Sequence, residues 1–301
     1  MLTFHPLSLG DKEKIDRFVY AENSRSADFN FGNMFLWDDT YKQMVADSDR
    51  HLITMCCNGA HPVFPFPIAC EDLSGAVNEM REYAQANGFP LVSCGGEEQH
   101  KSLREQAFPG CFAFENEREY ADYIYDIERL ISLRGKKLHG KRNHVSRFER
   151  EHPDWHFDAL QPEHRGDCMA LFDAWVESAE DADGSIAGER KAIELAFDYY
   201  DLLGLLGGAL FTDGKLVGFS IGEKCCADTV NVHFEKARAD IEGCYPMVNR
   251  EFVKLVRQRW PEINYVNRED DMGLDSLRKS KLSYHPDILL EKYEAVWRAT
   301  R

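Results

Sequence analysis

"GALFTDGKLVGFSIGEKCCADTVNVHFEKA", residues 208–237, decides the fold. Its Asp213-Gly214 pair lies between two apolar, strand-like runs, the strongest short-range signal for a β-hairpin. A third strand follows at 229–237, and alternation sends Val230, Val232 and Phe234 to one face and Thr229, Asn231, His233 and Glu235 to the other. The row of Asn, His and Glu either reaches a cleft or pairs with neighbouring side chains.

Outward from this meander, "ADIEGCYPMVNREF" reads as a Gly-containing turn entering a helix near 246–259, with Pro246 in its first turn. A strand at 263–267 and a helix near 273–281 complete the second half. Two helices precede the hairpin, at 164–179 and 187–203. In the former, Cys168, Leu171, Phe172 and Trp175 follow the spacing of one apolar face. The first half carries a helix at 11–22 and short strands at 41–46, 51–57 and 62–68. It continues with a helix at 72–87, a strand at 89–94, a helix at 97–107 and a strand around 111–115.

At an offset of 174 residues, "VSCGGEEQHKSLR" (92–104) aligns with "VNREDDMGLDSLR" (266–278): a strand end, an acidic loop and a helix carrying Ser-Leu-Arg. The order of elements and this match together predict a tandem duplication. The expected class is α/β (α+β), two domains at 1–130 and 156–301, each a mixed, mostly antiparallel sheet flanked by helices. A basic connecting helix is expected at 131–155.

A chain of 301 residues has room for two such cores, and 44% hydrophobic with 29% charged residues excludes wholesale disorder. The start lacks the basic and apolar regions of a secretory signal, and the longest run of that kind, 202–211, is about half of what spans a bilayer. A soluble, cytoplasmic protein is expected. Nine cysteines include no C-x-x-C pair, so reduced thiols are expected rather than a disulfide framework or a zinc site. "EDADGS", 180–185, superficially matches a calcium loop but lacks its later ligands, so a solvated connection is expected.

Against a formal net charge of -16, "LRGKKLHGKRNHVSR" (133–147) holds six Lys or Arg and no acid. As a helix from about 136 it would set Leu138, Val145 and Phe148 in an apolar seam and project Lys137, Lys141, Arg142 and Arg147 elsewhere. These cations either pair with the protein's own acids or hold an anionic ligand: an RNA backbone, a nucleotide or lipid headgroups. The expected phosphate-binding set is Lys136, Lys141, Arg142, Asn143 and Arg147, joined by the helix-start turn Gly243, Cys244 and Tyr245. In "NREDDMGLDSLRKSKLSYHP" (267–286), Asn267, Glu269, Asp270 and Asp271 end a strand, and Arg278 and Lys281 ride the next helix. Ion pairing at a helix N-terminus is the expected use of these acids, ahead of a metal.

The hairpin, central strand and Gly-bearing turn of the second half resemble a GNAT acyltransferase domain. "DIEGCYP" keeps Gly243 but sets Asp240 and Glu242 beside it, where the usual acetyl-CoA turn is richer in Gly and basic residues. The pair "YIYDIERLISLRGKKLHGKRNHVSRF" and "NREDDMGLDSLRKSKLSYHP" resembles the bacterial proteins grouped with the C-terminal domain of phosphatidylglycerol lysyltransferases, which are built from two GNAT-like folds. That resemblance implies an acyl or aminoacyl transferase with no tightly bound cofactor, its donor aminoacyl-tRNA or an acyl-CoA. The lysyltransferases carry a membrane-spanning portion ahead of this domain and this chain shows none, so a soluble amine or hydroxyl acceptor is expected. Asn231 as polar donor, and His233 or Glu235 as base, are the catalytic candidates. His233 as a hydrogen-bonded structural residue, a CoA-dependent N-acetyltransferase, and a non-catalytic binder of nucleotide, RNA or acylated ligand stay open as alternatives.

Overall fold

A computed structural model describes residues 2–298 except 47, 49, 58, 117 and 178–184. The calcium-like stretch at 180–185 therefore lies, but for Ser185, outside the described residues. Contacts divide the chain into one unit of Met1–Asp122 with Leu290–Arg301, and a second of Tyr123–Leu289.

The first unit holds an antiparallel three-stranded sheet of Phe4–Pro6, Gln43–Ala46 and Thr54–Cys56. Its other sheet has four strands in the order Phe64–Pro65, Val92–Gly96, Tyr293–Trp297 and Phe112–Asn116. Helix Leu73–Ala86 lends Ala76, Val77, Met80 and Ala84 to a core with Ile53, Phe64 and Ala295. The boundaries differ from the expected 130 and 155. Strand Tyr293–Trp297 pairs with residues 92–96 and 112–116, which returns the last stretch of chain to the first unit. The basic segment belongs wholly to the second unit, because its apolar seam is needed there.

In the second unit, β1 (Asp122–Asp126), α1 (Ile127–Ser132) and α2 (His139–Glu151) precede β2 (His156–Ala159), α3 (Arg165–Val176) and α4 (Ser185–Asp198). Then come β3 (Leu206–Thr212), β4 (Lys215–Lys224), β5 (Thr229–Ala237), α5 (Cys244–Arg259), β6 (Tyr265–Asn267), α6 (Asp275–Leu282) and β7 (Ile288–Leu290). The sheet order is β7-β1-β6-β5-β4-β3-β2. β4 pairs antiparallel with β3 and β5, whereas β5 and β6 run parallel. The hairpin turn has positive φ at both Asp213 (51°) and Gly214 (66°), the geometry that suits strand twist.

Leu138, Val145 and Phe148 of the basic segment are buried against α5 residues Val248 and Phe252 in the main core. Gly243 makes that packing attainable. Its φ is 84°, and a Cβ there would lie 2.3 Å from the His144 carbonyl oxygen of α2 and 3.1 Å from the Phe148 Cβ. A Cβ at Gly214 would meet nothing within 4 Å. Gly243→Ala is therefore expected to cost about 2–4 kcal/mol, from left-handed strain plus overpacking. Gly214→Ala should cost about 1–2 kcal/mol from strain alone. Urea denaturation of the two variants checks the difference.

Candidate functional site

Pairing between β5 and β6 covers only Thr229–Asn231 against Tyr265–Asn267, while β5 runs on to Ala237. Side chains from the loop after β6 meet β5 beyond that point. His233 Nδ1 lies 2.8 Å from Glu269 Oε1, and its Nε2 lies 3.1 Å from Glu223 Oε1 on β4. Two residues on, Glu235 accepts from Arg268 Nη2 at 2.8 Å and from Asn249 Nδ2 of α5 at 2.9 Å.

The polar row of β5 is thus not a solvent-lined wall. Asn231 is fully buried with neither side-chain polar atom hydrogen-bonded among the described residues, and Glu235 is the one residue of the strand that is not fully buried. Burial disfavours a charged His233. The hydrogen bonds and charges of Glu223 and Glu269 outweigh it and raise the imidazole to about 10. With a carboxylate at each ring nitrogen, His233 ties β4 and β5 to the loop after β6.

That loop is fixed from α6. Arg278 makes a bidentate pair with Asp271 at 2.9 and 2.8 Å, and the Tyr123 hydroxyl donates to the same carboxylate at 2.5 Å. Burial opposes ionisation of Asp271, but these bonds and the Gly273 N–H hold its carboxyl down at about 2. Lys281 Nζ donates to the carbonyls of Arg268, at 2.6 Å, and of Asp270. The buried Asn267 side chain accepts from the Glu269 N–H at 2.7 Å, and Glu269 takes a positive φ of 59°. Asp271 thus ion-pairs as the strand-end acids were expected to. Asn267, Glu269 and Lys281 shape the loop around it. Among the described residues no group of three His, Cys, Asp or Glu is placed to hold a metal.

The basic residues separate into three uses. Arg147 pairs with Glu151 at 2.8 Å and with Glu242, so it serves the protein's own acids. Arg142 donates to the carbonyls of Leu133 and Gly135 and to His139, shaping the turn ahead of α2, and Asn143 contacts the same imidazole. Arg134 and Lys136 are exposed and, with Gly135, His139 and Arg142, line a concavity of about 530 Å³. Lys141 leaves the helix on another side, with its ammonium 4.2 Å from the centroid of the Tyr284 ring.

The helix-start turn, whose expected use is a phosphate seat, is packed against α2. Space beside Gly243 is filled by α2, Cys244 N donates to the Ile241 carbonyl, and the Cys244 thiol donates to the Val217 carbonyl. Tyr245 packs as a partly buried aromatic on the same core. Arg238 pairs with Asp240.

Sequence reading passed over Glu223, Asn249 and Arg268. Glu223 was within reach of it, since the β4–β5 register sets it opposite Asn231. Asn249 gives no such signal, because it lies on the buried face of an ordinary amphipathic helix.

The fold is GNAT-like. It is shared by a tandem GNAT protein from the clavulanic acid biosynthesis pathway, at 10% identity and a TM-score of 0.50 over 100% of both chains. Within that class, the family described as phosphatidylglycerol lysyltransferase, C-terminal, matches residues 21–296, and the chain belongs to it. A conserved protein of unknown function from Bacteroides thetaiotaomicron is 33% identical, with a TM-score of 0.93 over 99% of this chain and 100% of its own. L-PGS from Bacillus licheniformis is 15% identical, with a TM-score of 0.67 over 97% and 93%. An uncharacterised protein of Mycoplasmoides gallisepticum is 23% identical over 177 residues, 57% of this chain, and the match spans about half of that protein's length (54%). No helix among the described residues is long and apolar enough to cross a membrane.

His233 sets a pH dependence. Its imidazole is raised, so the stability it contributes is complete below the unfolded value of about 6.5 and is lost as pH rises through about 10. The gap in urea stability between wild type and His233→Gln is expected to narrow steadily across that window. A gap constant with pH would contradict the ionic role.

Proposed function

We propose that the protein is a GNAT-type aminoacyltransferase that takes an aminoacyl group from an aminoacyl-tRNA and passes it to a soluble amine or hydroxyl acceptor. The observation that carries this reading is the cationic concavity at Arg134, Lys136 and Arg142. It sits at the head of the helix whose Lys141 reaches towards the Glu235–Arg268 cluster. Family membership supports transfer chemistry, and a local basic surface on a chain of net charge -16 suits an RNA end steered past general repulsion. The packed turn at Gly243 speaks against a CoA pyrophosphate in the usual place.

In this reading the acceptor nucleophile attacks the ester carbonyl of the donor. The carbon–oxygen bond to the tRNA ribose breaks, and the proton lost by the acceptor ends on the departing ribose oxygen. Glu235 relays that proton, with Arg268 and Asn249 fixing its two oxygens. Asn231 and His233 support the strand from within.

Aminoacyl-tRNA binding measured across salt concentrations tests the donor. The log–log slope is expected to fall by about 0.7–0.9 for each phosphate contact removed in Arg134→Ala/Lys136→Ala, with CoA failing to compete. Transfer to an amine acceptor should drop at least about 100-fold in Glu235→Gln, the scale of general acid–base catalysis, with donor affinity unchanged. Binding indifferent to the concavity variants, or displaced by CoA, would overturn the donor assignment. Donor hydrolysis without acceptor product would overturn the transfer.

A further inference from the structure

The second unit holds one lysine that its packing neither exposes fully nor ties down. Lys141 of α2 is partly buried, yet it makes no hydrogen bond or ion pair among the described residues. Its nitrogen is not one of the unpartnered polar atoms sealed from solvent. Each of the unit's other lysines that is buried in whole or part has a partner. Lys224, Lys236 and Lys254 meet carboxylates, and Lys281 meets two backbone carbonyls. The groups that face Lys141 account for the difference. Its ammonium lies 4.2 Å from the centroid of the Tyr284 ring, and the Arg268 guanidinium lies 5.0 Å from the same centroid. Tyr284 faces it uncharged, because burial pushes its hydroxyl up. Glu235 is the nearby carboxylate, and both of its oxygens are already engaged, by Arg268 and Asn249.

An amine that gives up part of its hydration, gains no acceptor in return and sits beside a second cation is favoured in its neutral form. Burial and the repulsion of Arg268, partly offset by Glu235, push the Lys141 ammonium down to about 8. The neutral amine has the lone pair that an ammonium lacks, and a cationic neighbour is one of the ways in which a lysine nucleophile is activated. We infer that Lys141 is a modification site, the lysine of this unit that is acylated first by activated acyl groups of the acyl phosphate class. Its nitrogen attacks the acyl carbonyl carbon and forms the carbon–nitrogen bond. The carbon–oxygen bond to phosphate breaks, phosphate departs with the electron pair, and the proton lost by the nitrogen passes to solvent. The product is a neutral amide, which takes one of the two cations away from the Tyr284 ring. The modification stands independently of the proposed transfer. Combined with it, the supply of acyl donors sets the charge near Glu235.

Treating the full chain with acetyl phosphate and following each lysine by peptide mass spectrometry tests the site. Between an amine that titrates near 8 and an ordinary lysine, the neutral fraction at pH 7 differs by roughly 200-fold, part of which lower basicity gives back. Early acetylation of Lys141 is therefore expected to run at least tenfold ahead of its exposed neighbours Lys136 and Lys137. Its rate should level off above about pH 8, while the rate at Lys137 keeps rising. In urea the lead should vanish, because the Tyr284 ring and Arg268 no longer face the amine. Lys141→Arg should keep the wild-type circular dichroism and lose the early label. Another lysine of the unit labelled first, a Lys141 rate that follows the pH profile of Lys137, or a lead that survives unfolding would each overturn the site.

Discussion

The second unit depends on where the parallel pairing of β5 and β6 stops. Past Asn231 and Asn267 the backbone ladder on that side of β5 ends. Beyond that point the loop after β6 meets β5 through side chains, the Glu269 carboxylate at His233 and the Arg268 guanidinium at Glu235. Backbone pairing gives way to ionic contacts between side chains, which gives the polar residues of β5 their partners.

Ionic contacts at this depth stabilise only when complete. Removing one member of a buried pair typically costs about 3–5 kcal/mol, because the other is left charged and dry. His233 satisfies the condition with a carboxylate at each ring nitrogen, as does Asp271 with Arg278, Tyr123 and the Gly273 N–H. Arg268 satisfies it on one terminal nitrogen only, which sets it apart from its neighbours. The same accounting applies to α2. Its Arg147 is answered by Glu151 and Glu242, and Arg142 by loop carbonyls, leaving exposed cations at Arg134, Lys136 and Lys137.

Much of this was legible from spacing. The Asp213-Gly214 hairpin, the strand 229–237, the helix after Gly243 and the apolar seam of Leu138, Val145 and Phe148 all follow from local pattern, and local pattern is what the sequence exposes. The strands Asp122–Asp126, Ile288–Leu290 and Tyr293–Trp297 escaped notice because their identity is settled by partners far away in the chain. At the site, alternation placed Asn231, His233 and Glu235 together but could not say whether they meet water or protein. That depended on Glu223, on the other arm of the hairpin, and on a loop whose course is set by Lys281 and Arg278. Basic residues adjacent in sequence likewise proved to have different occupations, since successive helical positions face different neighbours.

Strand Tyr293–Trp297 lies inside the four-stranded sheet of the first unit, between residues 92–96 and 112–116. On the ribosome this reverses the usual order of assembly. The second unit is one unbroken stretch, Tyr123–Leu289, and has all its strands but the last residue of β7 as soon as that stretch emerges. The first unit, although made earlier, holds two unsatisfied strand edges until residues 293–297 arrive to close the gap. Its nascent form is accordingly the one that most needs shielding from other chains.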